Sequence, residues 1–179
     1  MILTYNRLTE IVDEGVLMPV PHAHINASSI DVRLGRYAWV EDERGGIVDL
    51  AEKQFPAMHR IDLVAEPLVL RPGEWCLAQT VEMFNLPNTI SAEFRLKSSA
   101  ARAGLDQALA VWCDPGFHGS VLTLELRNNL QHHDLLLRYR TKIGQVVFHQ
   151  GEAVPPMASY AVRGQYNNDA QATQSKGVR

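Results

Sequence analysis

Lys97-Ser98-Ser99 sets a cation and two hydroxyls just ahead of a short helix-compatible run that carries Arg102. Backbone N–H groups exposed at a helix start, a serine able to cap them and the forked donors of a guanidinium all favour an anion, phosphate above all. Further along, Val121–Arg127 alternates strictly, which predicts a strand with Leu122, Leu124 and Leu126 on one face and Thr123, Glu125 and Arg127 on the other. Glu125 then turns a single carboxylate toward a polar pocket. Between the two lies Asp114-Pro115-Gly116, a turn signal. Taken singly, each feature has a plain structural account. Glu125 beside Arg127 reads as a solvated cross-strand charge, and Lys97-Ser98-Ser99 as an ordinary helix start.

The rest of the chain must position these groups. With 179 residues, 46% of them hydrophobic, it is long enough for one well-buried domain and short for two. A formal charge of −3 and no Lys/Arg-rich patch argue against a nucleic-acid or acidic-membrane binder, so any anion is bound locally. Cys76 and Cys113 fit buried thiols in a reducing compartment better than a disulfide framework. The first residues lack a signal-peptide apolar region and no apolar run approaches a membrane span, so a cytoplasmic protein is expected.

Residues 4–14 have the spacing of a short amphipathic helix, with Leu8, Ile11 and Val12 on one face, a cap at Thr4 or Asn6 and a stop at Gly15. Ile25–Gly35 is strand-like but interrupted by polar residues. Glu41–Gly46 is a charged turn, and the segment from there to Arg60 reads as an irregular, polar surface excursion. From Ile61 onward short strands alternate with turn signals: IDLV, PLVL, the Arg71–Glu74 turn, WCLAQTVEMFNLP, then Asp134–Arg140 and Ile143–Phe148. That pattern predicts a mainly β body, a sandwich or barrel rather than a parallel sheet with helical crossovers. From Gly151 the composition turns polar and poor in aliphatics; such a tail is either disordered or a flap that orders over a ligand, and composition alone favours disorder. His22/His24 and His132/His133 have metal-like spacing without an acidic or cysteine partner at a recognised interval, so no metal site is expected there.

Seven segments in order carry a family resemblance: INASSIDVRLG (25–35), LRPG (70–73), KSSAARAGL (97–105), DPGFHG (114–119), TLELRN (123–128), IGQVVF (143–148) and Tyr166 onward. Together they resemble the dCTP deaminase branch of the dUTPase-like superfamily over nearly the whole chain. The resemblance implies a dUTPase-like distorted β-barrel or jelly-roll, with a short N-terminal helix and one short internal helix. It also implies a nucleotide deaminase domain over residues 1–155, a C-terminal flap over 156–179 that closes on the nucleotide, and a homotrimer with sites between subunits.

Carried across residue by residue, the resemblance puts Glu125 on the catalytic glutamate, and Ser98 and Arg102 on the catalytic serine and arginine. Lys97, Ser98, Ser99 and Arg102 fall in the phosphate segment, Gln145 on a nucleotide-contacting glutamine and Asp114 on the deoxyribose contact. Backbone groups at Val111 and its neighbours would read the cytosine edge. Trp112, Thr123, Leu124, Tyr160, Gln165, Tyr166 and Asp169 complete the implied substrate-binding set. The chain departs from the family where Lys97 replaces Arg, where Gln165 replaces Lys, and where the family's following Gln corresponds to Asp169 or Gln171. The Asp-Pro-Gly motif also stands one residue closer to the preceding helix and one further from Glu125.

Replacing the cytosine 4-amino group by oxygen needs water at C4, a proton at N3 and a protonated amine to leave. One carboxylate in a dry pocket can serve as base and then acid. The implied reaction converts dCTP to dUTP and ammonia, with Glu125 as relay. A bifunctional enzyme that goes on to dUMP and diphosphate is the first alternative, because Trp112 before the Asp114 motif looks like the bifunctional members. Deamination of dCMP or of 5-modified cytosine nucleotides, and a nucleotide-binding trimeric regulator without turnover, are the others. The H-x-E and P-C-x-x-C segments of zinc deaminases are missing, so no catalytic zinc is expected. Magnesium is expected to arrive with the nucleotide phosphates.

Overall fold

A computed structural model describes residues 1–42, 45–108 and 110–178. Helix α1 (Tyr5–Asp13) follows the predicted spacing, burying Leu8 and Ile11 and ending before Gly15 at φ 75°. Thr4 holds the N-cap position, though its side chain makes no capping bond. The strands are β1 (Leu17–Met18), β2 (Ile30–Arg33), β3 (Tyr37–Glu41), β4 (Met58–Asp62), β5 (Leu68–Leu70), β6 (Trp75–Asn85) and β7 (Ile90–Leu96). After helix α2 (Ser98–Arg102) come β8 (Leu105–Gln107), β9 (Trp112–Cys113), β10 (His118–Asn128), β11 (Leu135–Leu137) and β12 (Lys142–Gln150). Helix α3 (Tyr160–Arg163), which the sequence reading did not anticipate, starts at Ser159, whose Oγ accepts from the Ala161 N–H.

The body is mainly β, as the strand and turn pattern predicts. One sheet runs β4-β3-β6-β10-β8 with β1 also on β6, a second runs β2-β12-β7-β9, and β5 pairs β11. A single core joins them: Phe84, Leu124 and Leu126 from the first sheet meet Phe94, Val146 and Phe148 from the second, all at 1% exposure or less. Both thiols, Cys76 and Cys113, are buried and free. Gly144 belongs to this packing, because a Cβ there would fall on the Phe94 ring. No helix among the described residues is long and apolar enough to cross a membrane.

Two expectations need correction. The segment read as irregular up to Arg60 already enters β4 at Met58, where Glu41, Val40 and Trp39 pair Met58, His59 and Arg60. The strand expected to run through Val64 stops at Asp62, whose Oδ1 accepts from the Val64 N–H and turns the chain. Residues 43 and 44 of the charged turn lie outside the described residues.

Arg33 on β2 and Glu82 on β6 link the two sheets. Glu82 is fully buried and accepts from both the Arg33 backbone N–H at 2.9 Å and Nε at 2.7 Å. Burial still raises the Glu82 pKa, against the pull of Arg33. Replacement of Arg33 by methionine would leave that carboxylate without its partner. Arg33→Met is expected to destabilise the fold by about 3 kcal/mol, read as a lower midpoint in urea unfolding at pH 7.

Candidate active site

The main cavity among the described residues, about 770 Å³, is built on β6 and β10. Its catalytic candidate follows from strand alternation. Leu124 and Leu126 are sunk in the core at 0% exposure, so Glu125 between them turns to the opposite face and lines the cavity beside Leu77, its partner on β6. The alternation is modified at one point. Between Val121 and Thr123 the register against β6 shifts, and the Leu122 N–H donates to Thr80 Oγ1 at 3.0 Å. Leu122 therefore borders the cavity next to Thr123 instead of sharing the face of Leu124.

Glu125 Oε2 accepts a 2.7 Å hydrogen bond from Gln107 Nε2 on β8. Burial raises the Glu125 pKa, and the Gln107 hydrogen bond draws it partly back. A carboxylate that is half-buried, hydrogen-bonded on one oxygen and tuned upward has the properties of a proton relay. Gln107 was not singled out from the sequence. The only hint is the alternation Leu105-Asp106-Gln107, which buries the first and third residues and exposes the second.

The Asp114 turn forms the rim. Gly116 has φ 90°, the Phe117 N–H donates to the Asp114 carbonyl at 3.1 Å, and Asp114 Oδ1 accepts from Trp112 Nε1 at 2.9 Å. Trp112 stays half-exposed at the mouth, and the Val111 carbonyl is engaged by the Phe94 N–H at 2.9 Å. The opposite wall comes from the excursion between β3 and β4, where Val48, Leu50, Phe55, Pro56 and Met58 face the cavity. Those apolar residues, interleaved with charges, were the overlooked signal in a segment read as polar surface.

The tail closes a third side by bonding to β10. The Asn168 N–H donates to the His118 carbonyl, the Val121 N–H to the Asp169 carbonyl, and Ser120 Oγ to the Tyr166 carbonyl. Tyr160, Tyr166 and Asp169 line the cavity with Thr173, Gln174 and Ser175. Polar-to-backbone bonds hold this segment without an aliphatic core of its own, which composition alone reads as disorder. The anion at Asp169 is balanced within the tail: Lys176 Nζ donates to Asp169 Oδ2 and to the Gln165 carbonyl, each at 2.8 Å, and lies over the Tyr166 ring.

The remaining predicted residues do not line the cavity of one copy of the chain. Leu124 points into the core. Lys97 Nζ pairs with buried Asp31 at 2.7 Å, which also meets Lys142 at 3.3 Å, and Gln145 Oε1 accepts from Ser29 Oγ beside it. Ser98, Ser99 and Arg102 are exposed on α2. Among the described lining residues stand four carboxylates, Glu41, Asp114, Glu125 and Asp169, and no lysine or arginine.

Fold and cavity together define a mainly β domain with a tuned carboxylate at the cavity wall. Residues 2–151 match the family described as dCTP deaminase-like, and the chain belongs to that family. It is 32% identical over 179 residues to a Methanospirillum hungatei protein described as "dCTP deaminase, dUMP-forming", covering 98% of this chain and 96% of that one. A Beutenbergia cavernae protein of the same description is 37% identical over 166 residues, covering 89% and 85%. Among solved structures, 2'-deoxycytidine 5'-triphosphate deaminase from Agrobacterium tumefaciens matches with TM-score 0.66 and 20% identity over 86% of this chain. The chain spans about half of that protein, 49%, and the likeness is one of fold.

The raised Glu125 pKa has a definite sign in stability. Its contribution is fully present below the unfolded carboxylate range and is lost as pH rises through the higher folded value. Glu125→Gln, which keeps an acceptor for Gln107, is expected to melt with wild type near pH 4 and about 2–4 °C above it at pH 8, the response of a domain this size to ~1 kcal/mol. Calorimetric scans at the two pH values check it.

Proposed function

We propose that this protein deaminates dCTP and carries the product on to dUMP and diphosphate. The observation that carries the proposal is the half-buried Glu125 carboxylate, hydrogen-bonded on one oxygen and facing the cavity among apolar walls and three further acidic side chains. Glu125 takes a proton from water as the water oxygen bonds to C4, and passes that proton to N3. It then receives the second proton of the added oxygen and gives it to the 4-amino group, which leaves as ammonia when the C4–N bond breaks. The net change consumes one water and yields dUTP. A second water attacks the α-phosphorus, the bond to the diphosphate breaks, and dUMP results.

The bifunctional outcome is preferred to deamination alone because the relatives described as dUMP-forming match over most of both chains, and because Trp112 and Asp114 line the same cavity as Glu125. Asp114 would orient the second water. Val111 backbone groups would read the cytosine edge, and Thr123 would border the base.

The acidic lining makes one copy of the chain a poor holder of a triphosphate. Ser98, Ser99, Arg102 and Lys97, with Gln145, would therefore come from the adjacent subunit of a homotrimer, placing a guanidinium where the cavity lacks one. Residues 156–179 would act as the flap, with Tyr160, Tyr166, Gln165 and Asp169 against the nucleotide. Among the described residues no group of three or more His, Cys, Asp or Glu side chains is arranged to hold a metal. Magnesium would be held by triphosphate oxygens and water, supplying charge neutralisation. A nucleotide substrate would fit a reaction in the cytoplasm.

Chromatography of products from dCTP, dCMP and dUTP, each incubated with magnesium, tests the proposal. Conversion of dCTP to dUMP with ammonia and diphosphate is expected. Accumulated dUTP would restrict the reaction to deamination, and activity on dCMP alone would move the substrate to the monophosphate. Nucleotide-dependent thermal stabilisation without ammonia would make the chain a binding protein. Glu125→Gln is expected to lower ammonia release by about 10²–10⁴-fold. In a parallel assay, Asp114→Asn is expected to let dUTP accumulate while ammonia release continues; unaltered diphosphate release would remove Asp114 from the second step.

A further inference from the structure

Gln107 is buried at 7% exposure on β8, a strand held to β10 by the pairs Leu126↔Gln107, Arg127↔Asp106 and Asn128↔Leu105. The Ala108 N–H adds a bond to the Glu125 carbonyl at 3.0 Å, so the backbone on both sides of the Gln107 side chain is tied to the strand that carries Glu125. Both amide hydrogens are committed: one to Glu125 Oε2 at 2.7 Å, the other to the Ala108 carbonyl at 2.9 Å. The amide oxygen, Oε1, is buried and has no hydrogen-bond partner among the described residues.

This pattern is directional. Turning the amide over would put its oxygen against a carbonyl and a carboxylate, two acceptors, so the NH₂ group is fixed toward Glu125 even though that leaves Oε1 unsatisfied. A buried polar atom left alone calls for an explanation, and here it is the fixed orientation of the donor. We propose that Gln107 is the positioning residue for Glu125: it anchors Oε2 as a permanent acceptor and leaves Oε1 as the oxygen that carries the proton.

The inference rests on the proposed role of Glu125 and extends it to the individual oxygens. A donor that cannot become an acceptor favours the ionised carboxylate, against the burial that favours the neutral acid. Other titratable groups face the same space. Glu41 at the end of β3, Cys113 on β9, Asp114 on the rim turn, and Tyr160, Tyr166 and Asp169 from the tail all line the cavity, and Asp106 and Arg127 flank the β8–β10 pair on its exposed side. Among the described residues Gln107 alone has a side chain hydrogen-bonded to the Glu125 carboxylate.

The test compares wild type with Gln107→Met, which keeps length and removes the donors, and Gln107→Glu, which sets a second carboxyl against the first. The direct readout is carbon-13 NMR titration of side-chain-labelled glutamate, with the Glu125 signal assigned by its loss in Glu125→Gln. In Gln107→Met the Glu125 titration is expected to move up by about one pH unit, and in Gln107→Glu to split into two coupled steps. The acid limb of the dCTP deamination profile is expected to move up with it, with kcat falling on the acid side of the optimum and KM changing little.

A Glu125 titration and acid limb that stay at their wild-type positions in either folded variant would overturn the proposal, and a uniform loss of rate at every pH would reduce Gln107 to packing. If Gln107→Met does not fold, Gln107→Glu decides alone. A wild-type protein that releases no ammonia would sink the deaminase reading, while the NMR titration would still decide whether Gln107 governs Glu125.

Discussion

Glu125 stands in its cavity because its two neighbours cannot leave the core. Leu124 and Leu126 are fully buried between the sheets, and the two-residue period of β10 leaves the intervening side chain no other direction. A slip of one residue against β6 would put two leucines into the cavity and a carboxylate into the hydrocarbon core. Burial of the leucines, each worth roughly 2 kcal/mol against exposure, thus fixes the register and the position of the candidate catalytic group together. The shift at Thr80 is tolerated because it falls beyond this pair, where Leu122 can border the cavity without emptying the core.

Charge organises what packing leaves open. The cavity gathers carboxylates, whereas Lys97, the lysine that the family resemblance assigns to phosphate, is drawn to buried Asp31, whose carboxylate, against the cost of burial, is held below its usual pKa range by Lys97, Asn26 and Lys142. Lys97 is thereby oriented before any ligand arrives, at the start of the short helix that exposes Ser98 and Arg102. The tail repeats the device on a smaller scale. Lys176 answers Asp169 and covers Tyr166, so the polar terminal segment neutralises its own charge while it packs along β10.

Much of this was legible in the sequence. The helix at residues 5–13, the alternation around Glu125, the Asp114 turn and the strand through Gln145 all follow from local periodicity or turn chemistry. The wall from Val48 to Met58 did not, because its apolar residues are scattered among charged ones and acquire a common direction only when β3 and β4 pair. Gln107 was hidden for a related reason. A glutamine in a three-residue strand carries only one short alternation as its signal, and its meaning depends on a partner brought alongside by the β8–β10 pairing.

Glu125 is subject to two opposed influences of different origin. Desolvation by the apolar walls stabilises the protonated form and by itself would draw the group toward the neutral acid. The single neutral donor from Gln107 stabilises the anion without forming an ion pair, so it restrains the rise without abolishing it. An arginine in the same place would hold the carboxylate ionised and unwilling to accept a proton; an apolar residue would hold it protonated. For a relay that must take a proton from water and return it to nitrogen within one turnover, intermediate basicity is the useful condition. A neutral amide with both hydrogens committed supplies it while keeping one carboxylate oxygen open to the substrate.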